Sequence, residues 1–264
     1  MTLEVLMSTM GMDPNSSLPE GIKDLHKESI DCLLINQVEN HKDAFEKNEQ
    51  HLRILSYPEK GLSRSRNRAI QNAHGDIVLL ADDDIRYLNG IEKTILGEFQ
   101  KHEHADIICF QLLKKKGHPY KRYGTATKHI NRFDSLRVSS AEIAIRLTSI
   151  KKKGVIFDEH FGLGTSLPSG EEQVFLKDAL DSDLHVIYVP IPIALHEAAS
   201  SGETGWTDKE YRQSKGALLY RLFGGFSTIL MPLFALRKSH LASVSWLQLT
   251  RDMFKGRRIF KSNQ

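Results

Sequence analysis

Cysteine is scarce in this chain. The two present in 264 residues, Cys32 and Cys109, both sit inside apolar runs. That leaves no disulfide framework and no cysteine-based metal site, so both read as core thiols. Long apolar runs are scarce too: the uncharged stretch from Leu222 to Leu236 is 15 residues, short of the ~20 that span a bilayer. Near the start, Glu4 interrupts the apolar residues and no continuous apolar region follows, so no signal peptide is read and a cytoplasmic location is expected. Internal repeats, low-complexity segments and a glycine-rich pyrophosphate loop of the nucleotidyltransferase kind are absent. Charge of one sign is not in large excess, with 36 Lys and Arg against 33 Asp and Glu. Together with the lack of a binding motif, this argues against a nucleic-acid partner. The basic stretch from Lys114 to Arg137 reads as a solvated loop or hairpin.

The stretch from Gly61 to Asp84 is the informative part. Ile77 to Ala81 are uniformly apolar, which predicts a strand buried on both faces of an α/β sheet. Asp82, Asp83 and Asp84 follow at its C-terminal end, where open α/β sheets place ligands. Three adjacent carboxylates repel one another, and a divalent cation neutralises them; oxygen-only donors favour Mg²⁺ or Mn²⁺. A solvated acidic turn is the plainer reading of the triplet alone. A helix is predicted from Leu62 or Ser63, with Leu62, Ala69, Ile70 and Ala73 on one face and Arg66 close to it. A cation there needs an anion, and a helix N-terminus attracts phosphate. Gly61, Ser63, Arg64 and Arg66 therefore face either a diphosphate or, for Arg66, one of the aspartates. Strands at Leu3–Ser8, Cys32–Ile35 and Leu52–Ser56, alternating with helical segments, predict a parallel nucleotide-binding sheet.

In order, these motifs resemble the donor-binding half of family-2-type, GT-A-fold glycosyltransferases, over most of residues 3 to 200, and most of all bacterial enzymes of capsular and cell-surface polysaccharide assembly. The resemblance implies a Rossmann-like α/β fold with a mostly parallel central sheet flanked by helices. It implies a nucleotide-diphosphate sugar, by default a UDP-sugar, as donor and a glycan or lipid-linked acceptor. Ser8, Thr9 and Asn36 would contact the nucleotide. Asp82 would face the ribose or base and share the metal with Asp84, with Asp83 between them. The chain departs from the family at MSTMGMD after the first strand and at Asn36, where an aspartate-rich turn is usual.

A second constellation, FGLGTSLPSGEEQVFLKDAL, spans residues 161–180. Its glycines mark a loop, and a helix is predicted from Glu171. Glu172 stands three, four, seven and eight residues before Phe175, Leu176, Ala179 and Leu180, which places it on the inward side with Glu171 rotated off. Ser169-x-x-Glu172 is also a capping-box pattern, and spacing alone favours the cap. The resemblance instead makes Glu172 the base that deprotonates the acceptor in an inverting transfer, with Glu171 as the alternative, although the family usually carries aspartate here.

His196 follows a strand expected over Val186–Ile193; a lone histidine there reads as structural, whereas the resemblance places it near the metal and diphosphate as a third ligand. Ser200, Ser201, Gly202 and Trp206 form an expected closing loop, in which Trp206 stacks on a sugar or anchors the loop. The expected organisation is a catalytic domain over 1–208, split into a nucleotide half (1–110) and an acceptor half (111–208), and a helical apolar and basic extension over 209–264. Arg237, Lys238, Arg251, Lys255, Arg257 and Arg258 follow the apolar stretch, a pattern that fits either peripheral contact with the inner membrane leaflet or packing on the catalytic domain or a partner subunit. The competing overall reading is a catalytically silent nucleotide-sugar-binding subunit on the same fold.

Overall fold

The computed structural model describes residues 1–114, 117–196 and 205–263. Ser200, Ser201 and Gly202 lie outside the described residues. The chain forms two compact units, each drawn from separate stretches: 1–60, 64–156 and 175–197 in the first, and 61–63, 157–174 and 198–264 in the second.

The first unit is built on one sheet. Its strands are β1 Leu3–Met10, β2 Asp31–Gln37, β3 Glu46–Glu49, β4 Leu52–Tyr57, β5 Ile77–Ala81, β6 Ile85–Tyr87, β7 Ile107–Leu113, β8 Lys128–His129, β9 Ile143–Arg146 and β10 Val186–His196. They run in the order β3-β4-β2-β1-β5-β9-β7-β10-β6, with β8 on β10. Its helices are α1 Glu20–Lys27, α3 Ile91–Lys101, α4 Arg132–Ser135 and α5 Leu147–Lys153, together with most of α2 Leu62–Asn72 and of α6 Glu171–Asp181, whose first residues fall in the second unit. From β4 to β5 the pairing is parallel, and all five residues of β5 are buried, as expected of a strand covered on both faces. Beyond β5 the sheet is mixed, because β9 enters antiparallel between β5 and β7. Glu4 ties the early strands together: nearly fully buried, it accepts from Arg53 at 2.7 Å and from the His74 and Gly75 N–H groups at 2.6 and 3.0 Å.

The strand expected to end at Ile193 continues to His196. Pro190 and Pro192 do not stop it, because they fall where its register against β7 shifts, between Tyr188 and Pro192 and again before Ala194. Proline is tolerated at such bulges because no ladder N–H is required there. The basic stretch after Lys114 is more ordered than a solvated loop. Buried Glu142 accepts from Lys121 at 2.7 Å and from the Tyr123 hydroxyl at 2.6 Å, while Tyr120 and Ile130 are buried.

The second unit contains α7 Lys209–Phe223, α8 Ser227–Lys238 and α9 Trp246–Ser262. Asp208 caps α7 through the Tyr211 N–H at 2.9 Å, and Ser245 caps α9 through the Gln248 N–H at 3.2 Å. Trp206, Tyr211, Leu219, Met231, Ala235, Leu249 and Met253 form the core. Glycine lets α7 and α9 approach closely: a Cβ on Gly216 would lie 1.9 Å from the Met253 carbonyl oxygen, and one on Gly256 1.8 Å from that of Gln213. Beside this crossing the buried Arg212 bonds Asp252 at 2.8 Å and the carbonyls of Trp206 and Thr207. Trp206 is thus a core anchor, ring to ring with Tyr211 at 5.4 Å and Phe234 at 5.9 Å.

Candidate active site

The aspartate triplet lies immediately after β5, at the C-terminal end of the parallel strands. Asp82 Oδ1 accepts from Arg66 Nη2 at 3.0 Å and Oδ2 from the Ser140 hydroxyl at 2.8 Å. Arg66, almost fully buried in α2, therefore has the aspartate partner that the sequence offered as the alternative to a diphosphate. Asp84 Oδ2 meets His196 Nε2 at 3.0 Å. The sheet dictates that contact: β6 begins right after Asp84, and its Ile85 is the antiparallel partner of His196. The Tyr120 ring packs against the imidazole at 4.6 Å.

The three carboxylates differ in electrostatics. The hydrogen bond from His196 holds the Asp84 carboxyl below its usual range against an opposing desolvation. Asp83 is pushed up by desolvation and by the charges of Asp84 and Asp82, partly offset by hydrogen bonds from its own backbone and from Thr9. Such a cluster has surplus negative charge to share with a cation. Among the described residues no three His, Cys, Asp or Glu side chains already converge in a metal-holding arrangement. The two carboxylates suit Mg²⁺ or Mn²⁺, and the imidazole nitrogen within their reach is Nε2, the one that already meets Asp84; the buried Nδ1 is on the other side of the ring.

Around this cluster, the Ser8 hydroxyl accepts from Ser65 at 2.7 Å, linking β1 to α2. Asn36 is fully buried. Its amide bonds the N–H and C=O of Met12 at 3.0 and 2.8 Å and Ser56 at 3.0 Å, so it holds the chain after β1 in place. Arg64 is exposed on α2.

The other predicted residues belong to the second unit. The Leu62 N–H bonds the Leu163 carbonyl at 2.9 Å, and the buried Ser63 hydroxyl donates to the Phe161 carbonyl at 2.7 Å. Gly162, at φ +104°, lies where a Cβ would come within 3.2 Å of Ser63 Oγ; both the angle and the space require glycine. Gly61 is buried beside Thr165. The helix α6 starts at Glu171, as expected. The Ser169 N–H goes to the Leu167 carbonyl, and its hydroxyl accepts from Lys215 at 2.9 Å. Glu172 accepts from Gln173 Nε2 at 2.9 Å. The order of burial is the reverse of that expected: Glu171 is buried and Glu172 half-buried. The cause is Val174, which is fully buried and turns the inward face toward Glu171.

Residues 35–159 match the model of glycosyl transferase family 2. That segment, a little under half of the chain, is of the family-2 glycosyltransferase type. The matched segment contains Asn36, the Gly61–Arg66 turn and helix, and the whole aspartate triplet; Ser8, Thr9, Glu171, Glu172 and His196 lie outside it. No curated protein sequence matches the chain. Among solved structures, S. aureus TarS 1–349 in complex with UDP-GlcNAc is similar over 97% of this chain and 81% of that one, with a TM-score of 0.67 and 14% identity. TarS 1–349 in complex with UDP gives 90%, 72%, 0.59 and 14%. Against the longer TarS structure the TM-score is 0.57, and the chain spans 44% of that chain. At this identity the likeness establishes the GT-A fold: a mixed α/β sheet flanked by helices, with a helical C-terminal region.

Ser140 and Tyr120 are site residues that sequence reasoning missed. Ser139-x-x-Glu142 did carry a legible sign, since it forms a capping box that fixes the short turn beginning at Ser140.

Proposed function

We propose that this protein is an inverting, metal-dependent glycosyltransferase that moves a sugar from a UDP-sugar to a hydroxyl of a glycan or lipid-linked acceptor in surface polysaccharide synthesis. The observation that carries the reading is the orientation of Asp82 at the end of β5, clamped by Arg66 and Ser140, within a segment matched by the family-2 model. The likeness to TarS bound to UDP-GlcNAc supports a nucleotide-sugar donor.

In this reading Asp82 orients the nucleoside, while Ser8 and Thr9 line its other side. Asp84, Asp82 and His196 would hold Mg²⁺ or Mn²⁺, which when bound supplies charge neutralisation to the diphosphate leaving group. Arg64 adds positive charge nearby. Glu172 accepts the proton of the acceptor hydroxyl as that oxygen bonds to the anomeric carbon. The bond from that carbon to the diphosphate oxygen breaks, and UDP leaves with the electron pair. One displacement inverts the anomeric centre.

A thermal-shift titration with nucleoside diphosphates, with and without Mn²⁺, tests the donor site. Stabilisation by UDP that requires the metal is expected. Folded protein indifferent to every diphosphate would sink the reading. UDP binding with neither transfer nor donor hydrolysis would favour the silent subunit.

A further inference from the structure

We propose that the C-terminal helical region docks on an anionic lipid surface through the outward face of α8 and the cations of α9. An ordinary surface helix turns polar residues outward. The helix α8 does not. Ile229, Leu233 and Leu236, spaced to share one face, are 57%, 60% and 61% exposed, and Phe226 just before them is 57% exposed. The opposite face, Ser227, Met231 and Ala235, is buried in the core. Leu241, Trp246 and Leu247 extend the exposed apolar residues to the start of α9. A contiguous set of this kind marks an interaction surface.

Charge identifies the partner. Residues 211–264 contain ten Lys and Arg and a single acid, Asp252, which is buried and paired with Arg212. The other 32 acids all lie in residues 1–210. Arg251, Lys255 and Arg258 are exposed and share one face of α9 with Leu247, while Arg237 is exposed at the end of α8. An acidic protein would satisfy the cations and leave the leucines wet, and a second copy would bring two cationic surfaces together. An anionic bilayer accepts both components, with leucines at the acyl boundary and cations at the headgroups.

The helical run Lys209–Leu241 is long and apolar enough to cross a membrane by length and composition. Its structure suits lying on one instead. The Gly224–Phe226 turn separates α7 from α8, Pro232 lies inside α8, and Tyr211, Arg212, Leu218, Leu219 and Leu222 are buried.

The test is flotation of the full chain with vesicles of phosphatidylcholine alone or mixed with phosphatidylglycerol, at low and high salt, with Trp246 emission followed alongside. Binding to the anionic vesicles only, weakened by salt and accompanied by a blue shift, is expected. Leu233→Asp with Leu236→Asp should weaken binding about ten-fold or more per leucine. Arg251→Glu with Lys255→Glu should weaken it about five-fold or more per site. If the aspartate variant loses its fold, quenching of wild-type Trp246 by brominated lipid replaces it, and an unquenched Trp246 overturns the proposal. Absence of flotation at low salt, equal binding by the folded variants, or self-association through the same leucines without vesicle binding would each overturn it.

Discussion

Asp82 and Asp84 show how one short acidic run acquires distinct roles, because each side chain has its own protein partner. The base proposed for the transfer lies elsewhere, in one of two adjacent glutamates. Glu172→Gln is expected to lower kcat by ~10²–10⁴, the usual worth of a general base, with UDP affinity unchanged in calorimetry. Should Glu171→Gln carry that loss instead, the roles are exchanged. A second residue-scale consequence concerns Asp158. Desolvation opposes its ionisation but is outweighed by hydrogen bonds from the His160 ring and N–H and from Arg221, so its carboxyl stays below the ordinary range. A depressed folded-state pKa stabilises the fold above the unfolded value of ~3.9 and loses that contribution as pH falls through the folded value. Asp158→Asn should therefore lower Tm at neutral pH and flatten the acid limb of a Tm–pH profile; an unchanged limb would show that the pairing contributes nothing.

At the scale of elements, the α7–α9 crossing is the most constrained packing in the second unit. Gly216→Val or Gly256→Val would drive a side chain into backbone, which no rotamer relieves. A loss of at least ~3 kcal/mol is expected, above the usual range for overpacking, read as a lower denaturation midpoint by tryptophan fluorescence; both tryptophans, Trp206 and Trp246, report from this unit. Elements also mark where sequence reasoning stops. The strand β5 was legible to the residue because a uniformly apolar pentapeptide between polar ends admits few other structures. The helix starts at Leu62 and Glu171 were legible from turn glycines and periodicity. The stripe Phe175, Leu176, Ala179 and Leu180 does not by itself fix the phase of α6: fully buried Val174 extends the inward face toward Glu171, so Glu171 is buried and Glu172 half-buried. Ser140 was invisible as an Asp82 partner because 58 residues separate them; only the sheet brings them together. Trp206 was ambiguous because an aromatic in a glycine-rich stretch has the same local signature whether it meets a ligand or a core.

For the whole molecule, the governing fact is how unevenly charge is distributed. A formal charge of +3 describes neither end of the chain: the last 54 residues are strongly basic and the remainder is acidic. A protein with evenly spread charge would leave a sulfonate resin near its pI, about 8.7 here. This one is expected to stay bound at about pH 9, because lysine and arginine remain protonated there. Arg251→Glu with Lys255→Glu should release it at lower salt, and elution unaffected by that pair would place the binding patch elsewhere.

The strand β10 has one more consequence. Against β7 it carries extra residues around Pro190 and Pro192, and only beyond them does it present His196 beside Asp84. Side chains alternate between faces along a strand, so the number of residues in that bulge determines which side of the sheet the imidazole occupies. A deletion library scanned along the chain should therefore show a parity effect here: removing one residue between Val189 and Ile193 turns the histidine away, whereas removing two restores its side at a shorter reach. Length, more than composition, is what this segment must conserve in any redesign.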